Sequence, residues 1–201
     1  MIILILGGIG SGKTLTAVKT IIDNSQYAYT NFPMQNYKNY KRLRISDIII
    51  RAKDKKEKDC INWAFWNKEI KEHKNYSIYL DEISNIIHAR TAMSRTNILL
   101  SKFISQIRKV LQDNPSSHLY CISQTIRRID IDLRELCQVI ITCNSAEVKG
   151  KTWIKLKYYN GITDYISNHC RLKKIFLGNP YFKYYNTEKF VTFGDATEDY
   201  I

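Results

Sequence analysis

At 201 residues the chain is long enough for one α/β domain with a substantial core and a small appended element. Hydrophobic residues make up 44 % and charged residues 25 %, the balance of an ordinary soluble globular protein. Lys and Arg number 31 against 19 Asp and Glu, and a net charge of +12 favours a polyanionic partner, nucleic acid first among them. The five cysteines form no C-x-x-C pair and no ligand-like cluster with the four histidines, which argues for a reducing interior and against a disulfide framework. The apolar run Met1–Leu6 is too short for a signal segment or a bilayer span, and no later segment reaches that length without charges. The expectation is a soluble, cytoplasmic protein with no membrane span.

Ile2–Leu6 is a continuous apolar run ending in Gly7-Gly8 and reads as a buried parallel strand leaving its sheet. Thr14–Asp23 follows with Leu15, Val18, Ile21 and Ile22 at helical spacing, giving strand, glycine loop, helix. Tyr27–Thr30 predicts a second strand, closed by Asn31-Phe32-Pro33. Between Tyr37 and Lys74 the pattern is mixed and charged, with helices expected near Ser46–Ala52 and Ile61–His73. Ser77–Leu80 predicts a third strand that runs directly into Asp81-Glu82. Thr96–Gln112 gives the clearest helix, with Leu100, Phe103, Ile104, Ile107 and Leu111 on one stripe and Pro115 marking its end. Leu119–Ser123 and Val139–Cys143 predict two more strands, with a short helix near Ile131–Cys137 between them. Strands alternating with helices imply a mostly parallel sheet flanked by helices.

After Asn144 the character changes. Trp153–Tyr159 and Lys174–Leu177 read as strands, with turns at Asn160-Gly161 and Gly178-Asn179-Pro180. From Lys149 to Lys183 there are eight Lys and Arg and a single acid, Asp164. With no internal repeat and no low-complexity linker, the chain reads as one domain: a nucleotide-binding core over residues 1–144 and a basic, aromatic β extension over residues 145–201.

The chemistry is concentrated in three places. Gly7-Gly8-Ile9-Gly10-Ser11-Gly12-Lys13-Thr14 fits G-x-x-x-x-G-K-[ST], the phosphate-binding P-loop. Glycines let successive N–H groups turn inward around phosphates, and the following helix aims its positive end at the same anion. Residues Gly8 through Leu15 are thus the nucleotide-binding set: Gly8, Ile9, Gly10, Ser11, Gly12, Lys13, Thr14 and Leu15. Lys13 is assigned to the β- and γ-phosphates and the Thr14 hydroxyl to Mg²⁺, so the expected cofactors are ATP and Mg²⁺. Ser77–Glu82 resembles a Walker B element, 68 residues after Lys13, in which Asp81 holds the metal and Glu82 activates the attacking water. Gln124, at the tip of Leu119–Ser123, is placed to sense the γ-phosphate or the lytic water. Arginines that stabilise a transferring phosphoryl group from a neighbouring subunit are sought among Arg90, Arg95, Arg108, Arg127, Arg128 and Arg134, with Arg128 and Arg134 the named candidates.

These strings, together with Thr30-Asn31-Phe32-Pro33, Leu80-Asp81-Glu82-Ile83, Arg90-Thr91-Ala92-Met93-Ser94 and Ser123-Gln124-Thr125, resemble the FtsK/HerA superfamily of DNA-pumping ATPases. The nearest branch is the short ATPases of archaeal viruses and phages, which include genome-packaging ATPases and zonular-occludens-toxin-like assembly proteins. The resemblance covers Met1 to Asn144. It implies a RecA-like P-loop fold, a homo-oligomeric ring of six or five subunits, and non-sequence-specific passage of double-stranded DNA through the pore, at an assembling virion with a capsid or portal partner. It carries the Walker A roles to Lys13 and Thr14, the Walker B roles to Asp81 and Glu82, and the sensor to Gln124. The rival expectations are a phage-assembly ATPase extruding single-stranded DNA and a nucleotide-switched binding protein that hardly turns over. A GTPase is disfavoured because no Asn-Lys-x-Asp string is present.

Overall fold

The computed structural model describes residues 1–24, 27–52, 58–86, 95–111 and 114–185. In chain order the elements are β1 (Ile2–Leu6), α1 (Lys13–Asn24), β2 (Tyr27–Thr30), β3 (Tyr40–Arg42), α2 (Ile45–Ile48), β4 (Ile49–Ile50), β5 (Cys60–Ile61), α3 (Trp63–Glu72), β6 (Tyr76–Leu80), α4 (Ile83–Ile86), α5 (Arg95–Ser105) and α6 (Ile107–Val110). They continue with β7 (Leu119–Ser123), α7 (Ile131–Leu136), β8 (Val139–Val148), β9 (Lys151–Asn160), α8 (Gly161–Ile166) and β10 (Leu172–Leu177). Short 3-10 turns cover Ile126–Arg128 and Asn179–Tyr184.

The central strands of a parallel sheet are covered by helices on both faces, so none of their side chains is left to water. β1, β6 and β7 are buried at every residue, and they lie at the centre of an eight-stranded sheet of order β10-β9-β8-β1-β7-β6-β2-β3. All pairs from β8 to β3 are parallel, while β9 and β10 are added antiparallel at one edge. Alternate side chains feed two cores. Ile2, Leu4 and Leu6 pack with Trp66, Phe103, Ile107 and Leu133 on one face, and Ile3 and Ile5 pack with Leu15, Val18 and Ile21 on the other. The second face is closed by α1 and by the segment after β10, through Tyr181, Tyr184 and Tyr185. This is the mostly parallel, helix-flanked α/β architecture expected, and no helix among the described residues is long and apolar enough to cross a membrane.

Several element boundaries differ from the sequence pattern. The helix expected over Thr96–Gln112 breaks at Gln106, where one amide N–H is shared between the Lys102 and Phe103 carbonyls and the Ser105 hydroxyl also takes the Lys102 carbonyl. Such back-bonding competes with the helical ladder and bends it. The apolar stripe survives, since Leu100, Phe103, Ile104, Ile107 and Leu111 are all buried; Gln112 lies outside the described residues. The helix expected over Ser46–Ala52 stops at Ile48. Ile49 and Ile50 turn extended and pair with Ile61 and Cys60, as β-branched residues favour. Ile61, expected to open a helix, is therefore the end of the strand Cys60–Ile61, and α3 starts after Asn62, whose side-chain oxygen accepts from the Phe65 amide. The edge strand β3 was hidden in a polar stretch. Asn160-Gly161, expected to be a simple turn, opens α8, because Asp164 folds back to accept from the Asn160 amide and from Arg171. β8 continues past Cys143 to Val148, paired with β9 over its whole length.

Candidate active site

The parallel strands end at one edge, and the residues that follow them define the site, as the carboxyl ends of such sheets do. Leu6 of β1 stands opposite Ser123 of β7 and Thr142 of β8, while Leu80 of β6 stands opposite Cys121. The glycine loop, Gln124 and Asp81-Glu82 therefore emerge side by side, with the Gln124 strand between the other two.

The loop is built as its residue types require. Gly12 has φ +85°, a left-handed conformation that favours glycine, and a Cβ there would stand 2.4 Å from the tip of the Ile154 side chain of β9, which would have to shift. The Ser145 hydroxyl donates to the Gly10 carbonyl at 2.7 Å and ties the loop to the extended half of β8. Lys13 is buried and its Nζ donates to the Gly8 carbonyl at 2.9 Å, spanning the loop. Thr14 Oγ1 donates to Asp81 Oδ2 at 2.5 Å. Asp81 is 2 % exposed, and burial raises its pKa above the usual carboxylate value, against the hydrogen bonds from Thr14 and from the Glu82 amide.

Asn31 clamps the Asp81 backbone at two points: its amide nitrogen donates to the Asp81 carbonyl at 2.9 Å, and its oxygen accepts from the Asp81 N–H at 2.7 Å. Its string was part of the family resemblance, but no role followed from sequence, because the pairing joins residues fifty positions apart. Glu82 sits at φ +49°, a left-handed conformation that costs a non-glycine residue about 1–3 kcal/mol and concentrates at functional sites. Its carboxylate accepts from Gln124 Nε2 at 3.4 Å. The structure thus brings together Lys13 with Gly8, Thr14 with Asp81, and Glu82 with Gln124.

The loop's positive-φ glycines and spanning lysine fit a polyphosphate, and the paired hydroxyl and carboxylate of Thr14 and Asp81 fit a hard divalent cation. A cleft of about 520 Å³ adjoins the loop, lined by Gly8, Ile9, Ser11, Thr142, Asn144, Lys155 and Lys157 among others. Residues 3–145 match the model of AAA, the ATPase family associated with various cellular activities. The chain belongs to this family.

No curated protein matches this AAA ATPase in sequence. Among solved structures it is similar to the N-terminal domain of zonular occludens toxin from Neisseria meningitidis, at 18 % identity and a TM-score of 0.58, over 92 % of this chain and 98 % of that one. It is more distantly similar to the genome packaging NTPase B204 of Sulfolobus turreted icosahedral virus 2 in complex with ATP-gammaS, at 13 % identity and a TM-score of 0.46, over 87 % and 95 % of the two chains. The zonular occludens toxin domain shares the fold that the motifs implied.

The arginines of the AAA ATPase are spread over the molecule. Arg128 is exposed at the end of the 3-10 turn after Gln124, beside Arg127. Arg134 lies on α7 with its Nε buried and unpartnered. Among the described residues neither hydrogen-bonds the loop, Asp81 or Glu82. Arg108 lines a separate cleft with Met1 and Pro115, at the opposite end of β1. The Arg95 backbone opens α5, whereas Arg90 and the string Arg90–Ser94 lie outside the described residues.

Proposed function

We propose that this ATPase is a magnesium-dependent, ring-forming DNA translocase that packages a double-stranded viral genome, acting without sequence preference. The observation that carries the DNA reading is the outer face of the β8–β9–β10 ladder. By register it presents Lys151, Trp153, Lys155 and Lys157 of β9, with Asn144 and Ala146 of β8 on one side and Lys173 and Ile175 of β10 on the other. No acid stands among them, Trp153 and Ile175 are solvent-exposed, and Lys155 and Lys157 continue into the cleft at the phosphate loop. Lysines neutralise backbone phosphates without reading bases, and an exposed indole offers a stacking surface.

Within each subunit, Lys13 binds the terminal phosphates while Thr14 and Asp81 hold the cation. Mg²⁺, when bound, neutralises charge on the β- and γ-phosphate oxygens. Glu82 accepts the proton of the attacking water, and Gln124, hydrogen-bonded to Glu82, orients that water against the γ-phosphate. Arg128 or Arg134 of one subunit completes its neighbour's site. A second reading, extrusion of single-stranded DNA during phage assembly, is favoured by the fold shared with the zonular occludens toxin domain.

Steady-state ATP hydrolysis, with and without long double-stranded DNA or single-stranded circles, tests these readings beside the Lys13→Ala variant. Stimulation by duplex that Lys13→Ala abolishes supports packaging, and stimulation by single strands alone moves the reading to extrusion. A Lys13-dependent rate indifferent to both DNA forms would overturn the translocase assignment.

A further inference from the structure

Lys13, the residue assigned to the β- and γ-phosphates, donates from Nζ to the Gly8 carbonyl at 2.9 Å, which marks Gly8 as the terminal-phosphate end of the loop. Two pairs of strands flank that point. β7 and β6 bring Gln124 and Asp81-Glu82 along one side of β1, and β8 and β9 form the other side. The cleft of about 520 Å³ lies on the β8–β9 side, where Gly8, Ile9 and Ser11 of the loop share its walls with Asn144, Lys155 and Lys157.

β9 is fixed against the loop at this level. Ile154 lies against Gly12, and Ser145, the register partner of Ile154 on β8, donates to the Gly10 carbonyl at 2.7 Å. Lys155 and Lys157 alternate with Ile154 and Leu156, which enter the core, so the two lysines share the opposite face of the strand. Lys157 pairs with Thr142, which stands opposite Leu6 at the root of the loop, and Lys155 pairs with Asn144, two residues further out.

The walls of this cleft suit an anion. None of the residues that line it is acidic, and among the described residues neither lysine has an ion-pair partner. Two ammonium groups on one face of a strand repel each other, and a shared anion removes that cost. Ser11 is only 7 % exposed, and its buried Oγ has no hydrogen-bond partner among the described residues. A buried hydroxyl left unpaired is costly, and a phosphate oxygen can satisfy it.

We infer that Lys155 and Lys157 contact the terminal phosphate of ATP within their own subunit, on the side of that phosphate away from Glu82. This rests on the ATP-hydrolysis reading above. Charge that spreads over the γ-phosphate oxygens during transfer is then met by the subunit's own β8–β9 hairpin, whatever a neighbour's arginine adds. Both lysines lie beyond residue 145, where the family match ends. They also border the face proposed for DNA, so the two sources of phosphate must be separated by experiment.

The test is the affinity of ADP and of a non-hydrolysable ATP analogue, measured by calorimetry with saturating Mg²⁺ and no DNA. It compares the wild type, Lys13→Ala and the double variant Lys155→Gln/Lys157→Gln. The double variant should bind the analogue roughly tenfold or more weakly, the effect of losing one charge-assisted hydrogen bond, and keep its ADP affinity within about twofold. Retained ADP affinity also shows that the loop is still folded. If the double variant binds the analogue as tightly as the wild type, the inference is wrong, and a loss confined to DNA-stimulated hydrolysis assigns the lysines to DNA alone. Equal weakening of ADP and the analogue refutes it too, because the lysines then do not single out the terminal phosphate. A Lys13→Ala variant that binds the analogue like the wild type would overturn the phosphate-loop reading itself, and this inference with it.

Discussion

Strands β1 and β10 make an instructive pair. The first reads Ile-Ile-Leu-Ile-Leu and is buried throughout; the second reads Leu-Lys-Lys-Ile-Phe-Leu, and its first four residues are exposed. β1 has a parallel neighbour on each side and a helical layer on each face, whereas β10 is the outermost strand of the sheet. The central strands spend every side chain on packing and present the candidate site only at their tips, where Gly7, Asp81 and Gln124 begin. The edge strands spend one face on packing, through Ile154, Leu156 and Phe176, and leave the other to lysines and Trp153. A one-faced edge ladder is where a large ligand can be met without disturbing the core, and a buried tip is where catalytic groups are held most tightly.

If the division between tip and edge is right, the largest effect belongs to Glu82. Glu82→Gln should keep nucleotide affinity and lower turnover by about 10²–10⁴-fold, the usual contribution of a general base, in single-turnover hydrolysis. Unchanged turnover would remove Glu82 from catalysis. The neighbouring acid should separate stability from function. Burial raises the Asp81 pKa, so the folded protein holds that proton more tightly than the unfolded chain, and at neutral pH the buried charge opposes folding. Asp81→Asn should therefore raise the Tm of the nucleotide-free protein, by about 2–4 °C for each kcal/mol relieved, while abolishing the Mg²⁺ dependence of nucleotide affinity. The Tm advantage should shrink as pH falls through the raised folded value towards the ordinary 3.8, and calorimetry against pH reads that directly. An advantage that grew on acidification would contradict the assignment.

The edge should give the smallest and most selective change. Trp153→Ala, at a side chain 38 % exposed, should shift stability by no more than about 1 kcal/mol, leave basal hydrolysis intact and weaken DNA binding several-fold, as loss of one stacking platform does. Equal losses in basal and DNA-stimulated rates would erase the distinction between the two regions.

Much of this was legible in the chain itself. The phosphate loop, Asp81-Glu82 and Gln124 each follow a short apolar run, and that local pattern placed them at strand ends before any strand was paired. The parallel, helix-flanked sheet followed from the alternation of the same runs. Local pattern failed where the deciding partner was distant. Ser105 and Gln106 kink a stripe that reads as one helix, Ile49 turns extended because Ile61 is available to pair with it, and Asp164 converts a glycine turn into α8 by reaching Asn160 and Arg171. The tertiary structure alone decided that Asn31 holds Asp81, that Ile154 closes over Gly12, and that Tyr185 packs edge-to-face on Phe32. Each of these joins residues fifty or more positions apart. Periodicity reports which face of an element is buried, but a hydrogen bond between side chains on different elements depends on where the whole sheet brings them.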